Sequence, residues 1–168
     1  MAVSCADLYS TAADLRNLPA WWIEHLSAEV VSPAPRLRDT VYSVRYRLWA
    51  GYTITATCTV VAARPGRSLT YTWEGGGMRL AVAQLFEPDG DGGTDTRLIA
   101  DLHVGRAFEP VKGVVLRLMR RRLADELHRA LATLEELAAA RSVLRRNSLA
   151  RRPRGTSAPA RAALSRVQ

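Results

Sequence analysis

The side chains able to do chemistry are few and mostly isolated. Asp101 and His103 share one face of a strand pattern, a spacing at which a carboxylate can orient an imidazole for general base work. The same alternation turns both away from Leu98 and Leu102, so a solvated pair is expected. Arg122 lies near an apolar helical stripe, where a guanidinium could bind a carboxylate or polarise a carbonyl. With Glu126 four residues on, it reads more simply as half of a surface ion pair. His25 adjoins two tryptophans and could reach a pocket entrance, but it reads more simply as a helix-surface residue, and His128 stands among charges with no role assigned. The three histidines never fall at a metal-ligand spacing and the two cysteines do not cluster, so no metal and no cofactor are expected. Gly75-Gly76-Gly77 lacks the lysine and helix of a phosphate loop, and Asp89-Gly90-Asp91-Gly92 is too short for a calcium loop. No Gly-x-Ser-x-Gly nucleophile elbow occurs. What remains is a set of rings, Trp21, Trp22, Tyr42, Tyr46, Tyr52, Tyr71, Trp73 and Phe86. Rings at strand spacing either pack a core or line a pocket for an apolar molecule.

Composition bounds the scaffold that must position these groups. A chain of 168 residues, 48% hydrophobic, can build one domain with a core and is short for two. It contains no apolar run of about eighteen residues, the length that would mark a membrane-spanning helix. The first residues, Met1-Ala2-Val3-Ser4-Cys5, do not read as a signal peptide, and Cys58 reads as a small buried hydrophobe. A reduced, cytoplasmic setting is the default expectation. The net charge of +8 is unevenly placed. Residues 1–140 hold 16 basic and 16 acidic side chains, whereas residues 141–168 hold eight arginines and no acid. The domain itself is neutral, and a nucleic acid or an anionic membrane could be held only through that tail.

The organising element is a helix over residues 110–139. Pro110 suits its first turn, and Leu116, Met119, Leu123, Leu127, Ala130, Leu134 and Leu137 recur in steps of three and four. Val111, Val115 and Leu118 widen this stripe near its start. At about 1.5 Å per residue the helix spans about 45 Å and needs a sheet or other helices to cover it. Upstream, residues 4–13 and 18–26 predict two short helices, with Pro19 in the first turn of the second. Period-two alternation then predicts strands over 41–49, 52–60, 69–73, 78–86 and 94–104, after a first strand starting at 28–31. A three-residue loop, Trp49-Ala50-Gly51, with glycine left-handed, pairs Leu48 with Tyr52, Tyr46 with Ile54 and Tyr42 with Cys58, which makes the apolar faces coincide. After residue 140 the stripe fades, so the expected division is a domain over 1–140 and an arginine-rich, disordered tail over 141–168.

Two short helices closing on Asn17-Leu18-Pro19-Ala20-Trp21-Trp22, consecutive antiparallel strands, the hairpin end Gly92-Gly93-Thr94 and a long closing helix form a recognisable series. The series resembles the polyketide cyclase/dehydrase and lipid-transport branch of the START-like (Bet v 1-like, SRPBCC) superfamily. Residues 14–22 resemble that branch's D-x-x-x-L-P-x-W segment, and Arg64-Pro65-Gly66-Arg67-Ser68-Leu69 resembles its turn before the fifth strand. The resemblance covers roughly residues 4 to 137. It implies an α+β helix-grip fold, in which a curved antiparallel sheet wraps the C-terminal helix over a deep apolar pocket. The family begins with a strand before its first helix. Here only Met1 to Val3 precede that helix, so either the true start lies upstream or the strand is missing or truncated.

The resemblance also implies which residues face the pocket: Trp21, Trp22, Tyr42, Tyr46, Ile54, Tyr71, Trp73, Phe86, Val115, Met119 and Arg122. The expected partner is a small hydrophobic molecule, a lipid, polyketide or similar, which the domain sequesters or presents. The alternative is an enzyme of polyketide cyclase or dehydratase type, in which Tyr42, Tyr46 or Arg122 assists proton transfer or stabilises an enolate. A third is an interaction module whose basic tail binds an acidic partner.

Overall fold

The computed structural model describes residues 3–48, 51–105 and 112–150. Helix α1, Cys5–Ala13, is capped by Ser4, whose side chain accepts from the Asp7 amide. A short 3-10 turn, Leu15–Asn17, leads into α2, Leu18–Trp21, which carries Pro19 in its first turn. The second helix was expected to reach residue 26; it stops five residues earlier. His25 already begins strand β1, His25–Ser32, because pairing with the next strand from His25 to Ser32 outweighs the weak helical preference of so short a segment.

Strands β2 (Val41–Arg47), β3 (Thr53–Arg64), β4 (Ser68–Gly75), β5 (Met78–Pro88) and β6 (Thr94–Val104) follow in order. Each pairs antiparallel with its neighbours in one six-stranded sheet, β1-β2-β3-β4-β5-β6. Among the described residues no strand precedes α1, and β1 and β6 form the two edges. Tyr42 pairs with Cys58 and Tyr46 with Ile54, the Leu48 amide donates to the Tyr52 carbonyl, and Gly51 takes a φ of +79°. This is the register that the three-residue loop requires, although Trp49 and Ala50 lie outside the described residues. The inward face carries Val44, Cys58, Tyr71, Val82 and Leu102, all buried.

Helix α3, Lys112–Ala150, lies against that face. Its 39 residues run past the stop expected at 139, so the domain boundary expected at 140 falls inside a helix. The reason lies in packing and composition. Ser142 is buried, Arg145 forms an ion pair with Asp7 of α1 at 3.1 Å, and residues 140–150 contain neither glycine nor proline. Pro110, Val111 and residues 151–168 lie outside the described residues. Leu118, expected to widen the apolar stripe, is exposed, whereas Leu116, Met119, Leu123 and Leu127 pack on the core. Towards the C-terminal half, Ala130, Leu134 and Ala138 join Leu8, Ala12, Leu15 and Leu18 of the helical N-terminal segment in one apolar cluster. The sheet, the small helices and α3 together make the helix-grip arrangement.

Candidate ligand pocket between the sheet and the long helix

The clefts of such a fold lie where the sheet's inner side chains are too small to meet the helix. Ala56 of β3 lies next to Gly75 of β4, one step along from the Thr57–Glu74 and Cys58–Trp73 pairs. A side chain at Gly75 has no room, since a Cβ there would stand 2.7 Å from the Thr55 carbonyl oxygen and 2.8 Å from the Ala56 Cα. Two of the smallest residues thus sit together on the inner wall, and a cavity of about 70 Å³ opens over them. Counting its open mouth, the atom-free space is about 710 Å³. Val44, Ile54, Met78, Leu80 and Leu102 complete the sheet side, Met119 and Leu123 the helix side, and Trp22 and Trp73 one end.

Three polar side chains share this lining: Tyr46, Arg122 and Glu126. Glu126 is 2% exposed. Arg122 Nε donates to its Oε1 at 2.5 Å, and the Tyr46 hydroxyl donates to its Oε2 at 2.5 Å. Arg122 Nη2 also approaches Glu24 Oε1 at 3.6 Å, tying α3 to the segment before β1. Burial, reinforced by the Glu126 carboxylate, raises the Tyr46 pKa far above its ordinary value, so at neutral pH this hydroxyl is a fixed donor and not a base. The bond to Glu126 raises the pKa of Arg122 as well, which secures its charge.

His25 stands behind the rings, with centroids 4.7 Å from Trp22, 4.6 Å from Trp73 and 5.2 Å from Tyr46. The helix-surface position expected for it is wrong: it opens β1 and is 2% exposed. Desolvation lowers its pKa to about 3, so it is neutral. Nδ1 lies 3.3 Å from the Trp22 carbonyl and, in the tautomer that donates there, leaves Nε2 as a buried acceptor with no partner among the described residues.

Of the residues expected to face a pocket, Trp22, Tyr46, Ile54, Trp73, Met119 and Arg122 line the cavity. Trp21, Tyr42, Tyr71 and Phe86 do not; they are buried core residues. Tyr42, Tyr71 and Phe86 point to the same side of the sheet but lie towards the end that α1 covers, where Phe86 meets Tyr9 edge to face and Tyr71 accepts a hydrogen bond from Gln84. Tyr52 is 70% exposed, since it stands in the turn before β3. The side chain of Val115 lies outside the described residues. The Arg122–Glu126 pair was expected on the surface; it forms, but with its carboxylate inside the molecule. Sequence reasoning also passed over the pocket role of Glu126 itself. Its signal was present, because Met119, Leu123, Glu126 and Ala130 follow one another at helical spacing, which puts a carboxylate in the apolar stripe.

Other candidates stand apart. Asp101 and His103 are 3.7 Å apart on the outer face with both side chains about two-thirds exposed, the solvated pair expected. His128 is exposed, Cys58 is buried, and the Asp89 carboxylate is used by the Asp91 and Gly93 amides of its own turn. Among the described residues no group of side chains could hold a metal ion, and no helix is long and apolar enough to cross a membrane.

The family model described as "Polyketide cyclase / dehydrase and lipid transport" matches residues 1–139. No curated protein sequence matches the chain. Among solved structures, TTHA0849 from Thermus thermophilus is similar with a TM-score of 0.67 at 20% identity, over 84% of this chain and 94% of that one. A START superfamily protein from Mycobacterium smegmatis is similar with a TM-score of 0.67 at 16% identity, over 82% of this chain and 93% of that one. The di-domain ARO/CYC StfQ from the steffimycin biosynthetic pathway gives a TM-score of 0.69 at 15% identity, over 84% of this chain and 48% of that one. At these identities the likeness is one of fold.

Proposed function

As a member of the polyketide cyclase/dehydrase and lipid transport family, in the START-like superfamily, the protein is one for which we propose the binding of a small hydrophobic molecule between the sheet and α3. The observation that carries this reading is an apolar cleft, enclosing a cavity of about 70 Å³ and open at its mouth, with one compact polar group on its wall. Apolar walls supply affinity through burial, at about 25 cal/mol per Å² removed from water, and convergent polar groups fix orientation. Tyr46, Arg122 and Glu126 are tied to one another and to α3, so they meet a ligand already oriented. The function is to hold and present the molecule. The test is native mass spectrometry of protein purified from its own host, followed by denaturing extraction and thermal shift. A co-purified apolar molecule that raises the melting temperature is the expected result. An empty protein with no shift across lipids, sterols and polyketides would remove the reading.

A second reading, a cyclase or dehydratase, is favoured by the same three side chains. Arg122 and the Tyr46 hydroxyl are positive or donating groups at an apolar wall, the kind of arrangement that stabilises an enolate oxygen. Proton removal would fall to Glu126, since Tyr46 keeps its own proton. Turnover of a poly-β-ketone that is lost in Glu126→Gln, with ligand binding retained, would favour catalysis over holding.

A further inference from the structure

The polar group on the pocket wall carries more information about the ligand than the apolar walls do. Glu126 accepts from Arg122 through one carboxylate oxygen and from Tyr46 through the other, and Arg122 also faces Glu24. One guanidinium therefore stands between two carboxylates, and among the described residues the group carries one negative charge in excess. The Glu126 side chain is 1% exposed and that of Glu24 17%, so solvent screens this excess poorly. By lone-pair count each Glu126 oxygen can accept one hydrogen bond beyond the one it already takes. The rings of Trp22, Trp73 and Tyr46 line the same cavity and attract positive charge through their faces.

Three ligand chemistries respond differently to such a wall. A carboxylate would bring a second uncompensated negative charge into a cleft that excludes water, which is costly. A neutral ligand would leave the existing excess unanswered. A single cation would balance it. The Arg122 guanidinium repels a second cation, but one of its two carboxylates already offsets it, and the charge of the other is left for the ligand. We propose that the ligand is a small amine, an apolar body bearing one ammonium group that answers the surplus charge of Glu126 and Glu24 while the body lies against Ile54, Leu80 and Leu102. This rests on the pocket reading given above.

Isothermal titration calorimetry at pH 7 with three molecules of one skeleton, 2-naphthylmethylamine, 2-naphthalenemethanol and 2-naphthoate, tests it. The amine binds about tenfold more tightly than the alcohol, and the acid most weakly. Glu126→Gln preserves the shape and the acceptor for Tyr46, and it removes most of the amine's advantage over the alcohol. Glu24→Gln, at a more exposed position, does the same to a smaller degree and keeps the test alive should the first variant fold poorly. Alcohol or acid binding as tightly as amine would overturn the amine assignment and leave the pocket intact. Amine selectivity that survives both variants would overturn it too. If none of the three binds, the pocket reading falls, and the amine assignment with it.

Discussion

Tyr46 and His25 show how one environment acts on two side chains in opposite senses. Both are withdrawn from water beside Trp73, and in both the charged form is disfavoured. For Tyr46 the result is a hydroxyl that can only donate, and its acceptor is the buried Glu126 carboxylate. Tyr46→Phe removes that donor, and urea unfolding at pH 7 should show a loss of about 1–3 kcal/mol. An unchanged midpoint would mean that the bond contributes nothing net. For His25 the folded-state pKa, about 3, lies below the ordinary 6.5. Between these values the unfolded chain takes up a proton that the folded protein refuses. Stability from this group is therefore whole above about pH 6.5, declines as pH falls, and stops declining below about pH 3. The decline approaches about 1.4 kcal/mol per pH unit, or about 2 kcal/mol between pH 6.5 and 5. Unfolding curves over pH 5–8 should show it, and His25→Phe, a ring that cannot titrate, should flatten that segment.

At the scale of elements, α3 does two jobs along its length. Its first half forms one wall of the cavity through Met119, Arg122, Leu123 and Glu126. Its second half packs on α1 through Ala130, Leu134 and Ala138. The halves should respond differently to truncation. Leu134 is fully buried, so Leu134→Ala should cost about 2–5 kcal/mol, with an intact pocket in what remains folded. Arg145 lies one helical segment further and is more than half exposed, so Arg145→Ala should cost less than about 1 kcal/mol despite its ion pair with Asp7. Equal losses in the two variants, measured by denaturant unfolding, would contradict this division. The short α2 makes the complementary point. Four residues of helix cannot hold against a strand partner, so the chain turns at Trp22 and delivers His25 to the sheet.

For the molecule as a whole, the sheet and α3 cannot touch everywhere, because a row of small residues leaves a gap that solvent or a ligand must fill. Ala56 and Gly75 set that gap. Ala56→Phe puts a ring into the cavity from a position that already points inward. It should abolish ligand binding, a fall of at least about tenfold in affinity. Circular dichroism and thermal unfolding check that the fold is kept, with a stability change within about 3 kcal/mol. Undiminished binding in a folded Ala56→Phe protein would move the ligand elsewhere.

The periodicities of the chain sufficed for the succession of strands, for the β2–β3 register and for the apolar stripe of α3. Alternation, a left-handed glycine at position 51 and three-to-four spacing are local constraints, and each acts within a few residues. The end of α3 was not legible in this way, since Arg145 and Ser142 find their partners in α1 and in the helix's own turn. Nor was the division of the inward rings into core and pocket. Tyr71 and Trp73 are two residues apart on one strand face, yet α1 and its neighbours close over the first and the cavity opens at the second. Burial of Glu126 belongs to the same class, because whether a carboxylate four residues from an arginine meets water or a tyrosine depends on what the sheet places opposite. Faces are set by neighbours in sequence, whereas depth is set by which element lies across the fold, and that is a property of tertiary packing alone.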